Sequence, residues 1–329
     1  MKQRQQNSNA TANGTRAAVR ACATIILLSL LIFSTGCQSK SESPVAPTQP
    51  KTFASPDAAA KALYDAAKSG DANSITSLFP PDAKDYLLTG NADDDKASLH
   101  AFVSDYDKMH RWGKLDNGGR VLSVGIENYP FPFPLLKDSS GQWYFDSSSA
   151  KKEFLARQIG DNELTVIDIL NAMADAQSEY FTKLQLNSKV KQYARKFVSS
   201  EGTHDGLYWK PAPGEPDSPL GPLAARAGAE GYKSGTADAP APFHGYFFRI
   251  LTEQGPAANG GKKNYIVKNN MVGGFAFIAY PAEYRATGVM SFIVNQDGNI
   301  YEKNLGTDTT QIAKTTIAFN PDDSWSPVE

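Results

Sequence analysis

The sequence predicts an α+β fold: a helical-plus-meander module, then a long helix, then a module of antiparallel strands. Three observations predict it. Apolar residues recur at spacings of three and four over residues 53–110 and again over 149–187, as on a helix with one buried face. From residue 244 onward the period is two, with Gly, Asn, Asp and Pro between the runs. Between these stretches, residues 210–242 hold seven of the 20 prolines, too many for either regular element.

Residues 1–36 read as an export signal. Lys2, Arg4, Arg16 and Arg20 precede the eleven-residue run ATIILLSLLIF with no acidic residue among them. At about 1.5 Å per residue that run covers roughly half of a hydrocarbon core about 30 Å thick, too little to span it. The STGC that follows, ending in Gly36 and Cys37, resembles the lipobox of bacterial lipoproteins, although Ser34 stands where that pattern usually has Leu. The resemblance implies diacylation of Cys37 and cleavage before it; the alternative is an ordinary secretory signal with Cys37 incidental. Gln38, in place of the Asp often associated with inner-membrane retention, favours the outer membrane, facing the periplasm. Acyl chains would then anchor the chain without a spanning helix.

The chain has two cysteines, and Cys22 lies within the signal, so acylation of Cys37 would leave no thiol and no disulfide in the mature protein. Lys plus Arg number 33 against 35 Asp plus Glu, a near-neutral balance that gives no reason to expect nucleic acid as a partner. The membrane partner is expected through the acyl chains alone.

Residues 37–52, with Pro44, Pro47 and Pro50 among serines and threonines, form a tether. The N-terminal module is expected over 53–148. Ser55-Pro56 starts a helix whose stripe is Ala59, Leu63, Ala66 and Ala67, and Gly70 stops it. Short helices follow over 71–79 and 82–88, and a longer one over 94–110. Strands are expected over 120–127, 131–137 and 142–146, the last two separated by the turn residues 138–141.

The second module is expected over 149–329. One helix should run through 149–187, with a break near Gly160. A helical turn or two is expected within 220–231. Four or five strands follow from residue 245, with Gln296-Asp297-Gly298 in the last hairpin, then a helix over 308–318 and a tail carrying Trp325.

The N-terminal order of helices and curved meander resembles the nuclear transport factor 2-like cone. Over nearly the whole mature chain, GDNELTVIDILNAMADAQSEY (160–180), DGLYW (205–209), GYFFRILTEQGP (245–256), GGFAFIAYPAEYRATGVMSFIVNQDGNIYEKNLG (273–306), FNPDDSW (319–325) and the Pro/Phe run at 130–134 resemble a bacterial envelope family catalogued as domain of unknown function 2950. Residues 160–306 are also similar to the soluble part of type IV pilins and pseudopilins, a helix across a small antiparallel sheet. The departure is the charge on this helix, Lys151, Lys152, Glu153, Arg157, Asp161, Glu163 and Asp168, which is unsuited to a filament core within a bilayer.

No residue set specifies a reaction. His100, His110, His204 and His244 lack the spacing of a helical zinc pair, and no nucleophile elbow, Walker loop or dinucleotide fingerprint occurs, so neither catalytic residues, metal nor cofactor is expected. Asp297-Gly298 fails as an EF-hand because Ile293 and Asn304 stand at two ligand positions. Asp93-Asp94-Asp95 complements a helix dipole. Tyr208, Trp209, Tyr246 and Arg249 are the candidate surface for a sugar or peptide, against the alternative that they pack the loop onto the sheet. Tyr106, Trp112, Phe131 and Trp143 would line the first module's interior as pocket or core. The expected function is that of a non-enzymatic envelope lipoprotein, a binding or assembly module whose partner is an envelope protein or polysaccharide. The alternative is an envelope enzyme or small-molecule binder using a cavity of the N-terminal module.

Overall fold

Each end of α1 (Pro56–Ser69) is fixed by a local rule. The Ser55 side chain accepts from Ala58 N–H at 3.1 Å, Pro56 occupies the first turn, and Gly70 closes the helix at φ 68°. The computed structural model describes residues 50–89, 91–183, 190–231 and 241–328; the signal, Cys37 and nearly all of the tether lie outside them. Asp71 caps α2 (Ala72–Thr76), Pro80 and Pro81 stop it, and a 3₁₀ turn leads into α3 (Lys84–Leu87). Asn91 caps α4 (Ala92–Lys108), whose first turn holds Asp93, Asp94 and Asp95.

The helix expected over 94–110 ends earlier, because Met109 is extended and a strand follows at once. That strand, β1 (His110–Lys114), pairs antiparallel with β2 (Arg120–Val124). The strand expected over 131–137 is divided: β3 (Tyr129–Pro130) pairs with β2, and β4 (Leu135–Lys137) pairs with β2 and β5 (Trp143–Phe145). Pro130, Pro132 and Pro134 lack the N–H donors a continuous ladder needs, so the stretch breaks in two. The sheet order is β1-β2-β4-β5, with β3 on β2. Leu63, Phe79, Leu122, Phe133, Leu135 and Phe145 form the first core beneath it.

Helix α5 (Ser147–Lys183) runs unbroken through Gly160, where a Cβ would stand in open space. Asp146 caps it, accepting from Ser149 N–H at 2.9 Å. Ala150 and Phe154 belong to the first core, whereas Val166, Ile169, Leu170, Met173, Ala176 and Tyr180 belong to a second. The helix, assigned by its sequence to the C-terminal module, therefore serves both cores. The continuation expected over 184–187 lies outside the described residues.

The second core lies between α5 and a five-stranded antiparallel sheet. After α6 (Gly221–Ala229) come β6 (Tyr246–Leu251), β7 (Glu253–Gln254), β8 (Lys263–Asn264), β9 (Ile266–Val267), β10 (Asn270–Met271), β11 (Ala276–Pro281), β12 (Ser291–Asn295) and β13 (Ile300–Lys303). Then follow α7 (Thr309–Thr315), β14 (Ala318–Phe319) and β15 (Ser326–Pro327). The main sheet runs β15-β13-β12-β11-β6, and β14, β7 and β8 form a smaller one. All residues of β11 and β12 are buried, as strands covered on both faces must be. Gly298, at φ 76°, sits in the turn between β12 and β13, its N–H donating to Asn295 O at 3.1 Å. Lys268 and Asn269, at φ 48° and 64°, form the two-residue turn of the β9–β10 hairpin, the conformation a type I′ turn requires.

Glu163 fastens α5 to the sheet. Its Oε1 accepts from Val289 N–H at 2.8 Å and Met290 N–H at 2.9 Å, and the neighbouring Asn162 donates to Thr287 O at 2.9 Å.

Candidate functional site

Residues 190–209 carry no long strand or helix of their own, so their backbone groups depend on neighbours. Gln177, fully buried on α5, satisfies Ala194 twice: its Nε2 donates to Ala194 O and its Oε1 accepts from Ala194 N–H, both at 2.8 Å. Tyr193 N–H donates to Met271 O at 2.8 Å, and the Tyr180 hydroxyl donates to His204 O at 2.7 Å. The chain then returns beside itself, Tyr208 N–H donating to Phe197 O at 2.8 Å. A Cβ on Gly206 would stand 2.7 Å from the backbone of Val198 and Ser199, so glycine permits this approach. Aromatic rings hold the segment from below: Phe197 stacks on Phe277 at 5.8 Å, and Tyr193 contacts Phe181 and Phe275 at 4.4 and 5.0 Å.

This scaffold supports a cleft of about 420 Å³ lined by Tyr180, Gln192, Tyr193, Arg195, Lys196, Asp205 and Asn269. Arg195 Nη1 donates to Asn269 Oδ1 at 2.9 Å and to Asn269 O at 3.3 Å, which ties the guanidinium to the β9–β10 turn. Lys196 Nζ donates to Asp205 Oδ2 and to Ser200 Oγ. Asp205 also accepts from Ser200 N–H at 2.8 Å and the Thr203 hydroxyl at 2.9 Å. Partial burial opposes ionisation of Asp205, but the bonds from Lys196, Ser200 and Thr203 outweigh it and hold the carboxyl well below its ordinary range. Burial raises the Tyr180 and Tyr193 phenols, which therefore remain protonated at neutral pH.

Lys196 and Ser200, 2.6 Å apart, invite a catalytic reading, since a lysine can deprotonate a serine nucleophile. The hydrogen bonding runs the other way. The Lys196 amine donates both to the serine and to a carboxylate that accepts from three further groups, the arrangement of a loop brace. Among the described residues, no group of three His, Cys, Asp or Glu is placed to hold a metal ion. His204 Nδ1 is buried with no hydrogen-bond partner, its ring edge-on to Trp209 at 4.6 Å.

The aromatic surface expected from Tyr208, Trp209, Tyr246 and Arg249 is not assembled. Tyr246 is fully buried, and its hydroxyl donates to Met290 O at 2.8 Å, leaving no edge for a ligand. Its ring passes so close to Gly288 that a Cβ there would meet the Tyr246 hydroxyl at 2.0 Å. Trp209 is 6% exposed and donates its indole N–H to Pro216 O at 3.1 Å. Arg249 donates to Ala313 O and Thr316 O, neutralising the carbonyl end of α7. Tyr208 lies half-buried in the loop, and among the described residues no hydrogen bond anchors its hydroxyl. Tyr246 is buried because its side of β6 faces α5, where its hydroxyl lies 3.5 Å from Glu163 Oε1.

The candidate pocket of the first module is filled. Phe131 lies against Phe79, Phe102, Phe133 and Phe145 with centroids 5.6–6.2 Å apart, and Trp143 is 8% exposed. Tyr106 stacks on His110 at 3.8 Å, and Trp112 donates to Asp57 at 2.9 Å. The module does carry a cleft of about 720 Å³, but among its helices, between Gly70, Lys84, Asp85, Thr89, Lys96 and Leu99. The acidic run beside it is committed locally: Asp95 accepts from Thr89 N–H and hydroxyl at 2.7 and 2.8 Å.

Sequence reasoning passed over Arg195, Tyr193 and Asn269. The available signal was QYARKF (192–197), two cations interleaved with aromatics directly after a long helix.

A family model described as "Protein of unknown function (DUF2950)" matches residues 50–328. No curated protein and no solved structure matches the chain.

Proposed function

The chain belongs to the DUF2950 family, and on that premise we propose that it is a non-enzymatic envelope lipoprotein whose C-terminal module binds an envelope polysaccharide. The observation that carries the reading is the cleft beside residues 192–205, whose polar lining is held from behind by Gln177, Asp205 and Asn269. Such pre-organisation lowers the entropy lost on binding a flexible polymer. Anchoring rests on Cys37, which follows the apolar run 23–33 in a stretch that resembles a lipobox. Acylation there, after export, would hold the chain at the outer membrane, facing the periplasm. The packing of α5 on β11 and β12 supports the pilin-like reading of this module. The charged first half of the same helix argues against assembly into a filament.

The experiment has two arms. Fractionation of the wild type and Cys37→Ala should find the first with membranes and the second released. Sedimentation with purified envelope polysaccharide should retain the wild type but not Gln192→Trp, which places an indole in the cleft. Membrane retention of Cys37→Ala contradicts the anchor, and undiminished retention of Gln192→Trp by polysaccharide contradicts the site.

A further inference from the structure

Arg195 is the unusual residue of the cleft. Among the described residues no carboxylate lies within ion-pair distance of its guanidinium, and only Nη1 is bonded, to two neutral oxygens of Asn269. The Nε and Nη2 donors find no protein acceptor among the described residues. The acid of the cleft lining, Asp205, is occupied by Lys196, Ser200 and Thr203 and has nothing to offer Arg195. Of the charged residues that line the cleft, Lys196 and Asp205 offset each other, and Arg195 leaves the lining with net positive charge.

We propose that Arg195 and the Tyr193 hydroxyl form an oxyanion subsite that takes a carboxylate or phosphate group borne by the bound polysaccharide. The inference rests on the cleft being the binding site. A guanidinium offers a planar fork of donors that matches either group, and here its orientation is set in advance by a turn whose residues hold φ values of 48° and 64°. Tyr193 lines the same cleft with a phenol kept protonated by burial, so it donates to an anion. Ala194, Lys196 and Asp205 are already engaged in holding the loop, which leaves Arg195 and Tyr193 as the pair placed to recognise an anion.

Calorimetric titration of the full mature chain with an oligogalacturonate, with inorganic phosphate and with a neutral galactan oligosaccharide tests this. An acidic probe should bind at least about tenfold more tightly than the neutral one, the ratio expected of one charge-assisted pair, and should weaken as salt rises. Preference for oligogalacturonate assigns a carboxylate, and preference for phosphate assigns a phosphorylated sugar. Arg195→Gln should lower that affinity about tenfold or more without moving the melting temperature, since the side chain is exposed, and Arg195→Lys should recover part of it. Equal affinity for the acidic and neutral probes, or an acidic-probe affinity unchanged in Arg195→Gln, overturns the subsite. So does the absence of binding by both acidic probes. The cleft reading falls separately, if Gln192→Trp still retains polysaccharide.

Discussion

Asp205 gives the cleft its pH dependence. Its folded pKa lies below the unfolded value of about 3.9, so its contribution to stability is present above that value and is lost as the pH falls through the folded one. The side chain is 44% exposed, which limits the contribution to about that of a surface pair, 1 kcal/mol or less. The prediction is local: the protection of the Ser200 and Thr203 amides, measured as exchange relative to the intrinsic rate at each pH, should fall as the pH drops below about 4. In Asp205→Asn it should be low throughout and flat over the same range. Acid-independent protection in the wild type would show that the brace does not depend on ionised Asp205.

At this scale the sequence misled in an instructive way. Nothing in the sequence around Tyr246 and Arg249 reveals that α5 covers the first and the end of α7 takes up the second. Arg195 drew no attention because its meaning lies in what is missing around it, a carboxylate, and in Asn269, which is distant in sequence. Pairings fixed by local chemistry were legible. Ser55 before Pro56, Gly70 as a helix stop and the Gln296-Asp297-Gly298 turn occur where their dihedral preferences put them.

At the scale of elements, α5 carries the argument. Its stripe through Val166, Leu170, Met173 and Tyr180 was readable from spacing, and these residues, joined by Ile169, are the helix side of the second core. The break expected at Gly160 is absent because one glycine costs a helix only about 1 kcal/mol, and burial on either side outweighs that. Gly160→Ala should therefore raise stability by about 0.5–1 kcal/mol, since the added Cβ meets nothing within 4 Å. Leu170→Asp, in contrast, buries a charge at a position with 0% exposure and should cost several kcal/mol of a total of about 5–15. Thermal melts of both variants check this. A destabilised Gly160→Ala would mean that the helix needs to bend there. The shorter elements were harder to read. The division of residues 129–137 follows from three prolines, but the start of β1 at His110 depends on pairing with β2, which no helix-period count can see.

At the scale of the molecule, the described residues belong to one compact unit with two hydrophobic cores threaded by one helix. The α+β class was legible because the change of period from 3.6 to 2 is a property of long stretches and averages over local exceptions. The sharing of α5 was not, since Ala150 and Phe154 look like ordinary residues of the start of a helix until Phe133 and Tyr86 are placed against Phe154. The first module's interior is thus closed by aromatics that the sequence offered as the lining of a pocket, which shifts the functional reading to the second module. Hydrogen exchange of the full chain with and without purified envelope polysaccharide weighs the two modules directly. The account predicts slowed exchange at residues 192–205 and in the 266–271 hairpin, with the helices around residues 70–99 unchanged; protection confined to residues 70–99 would contradict it.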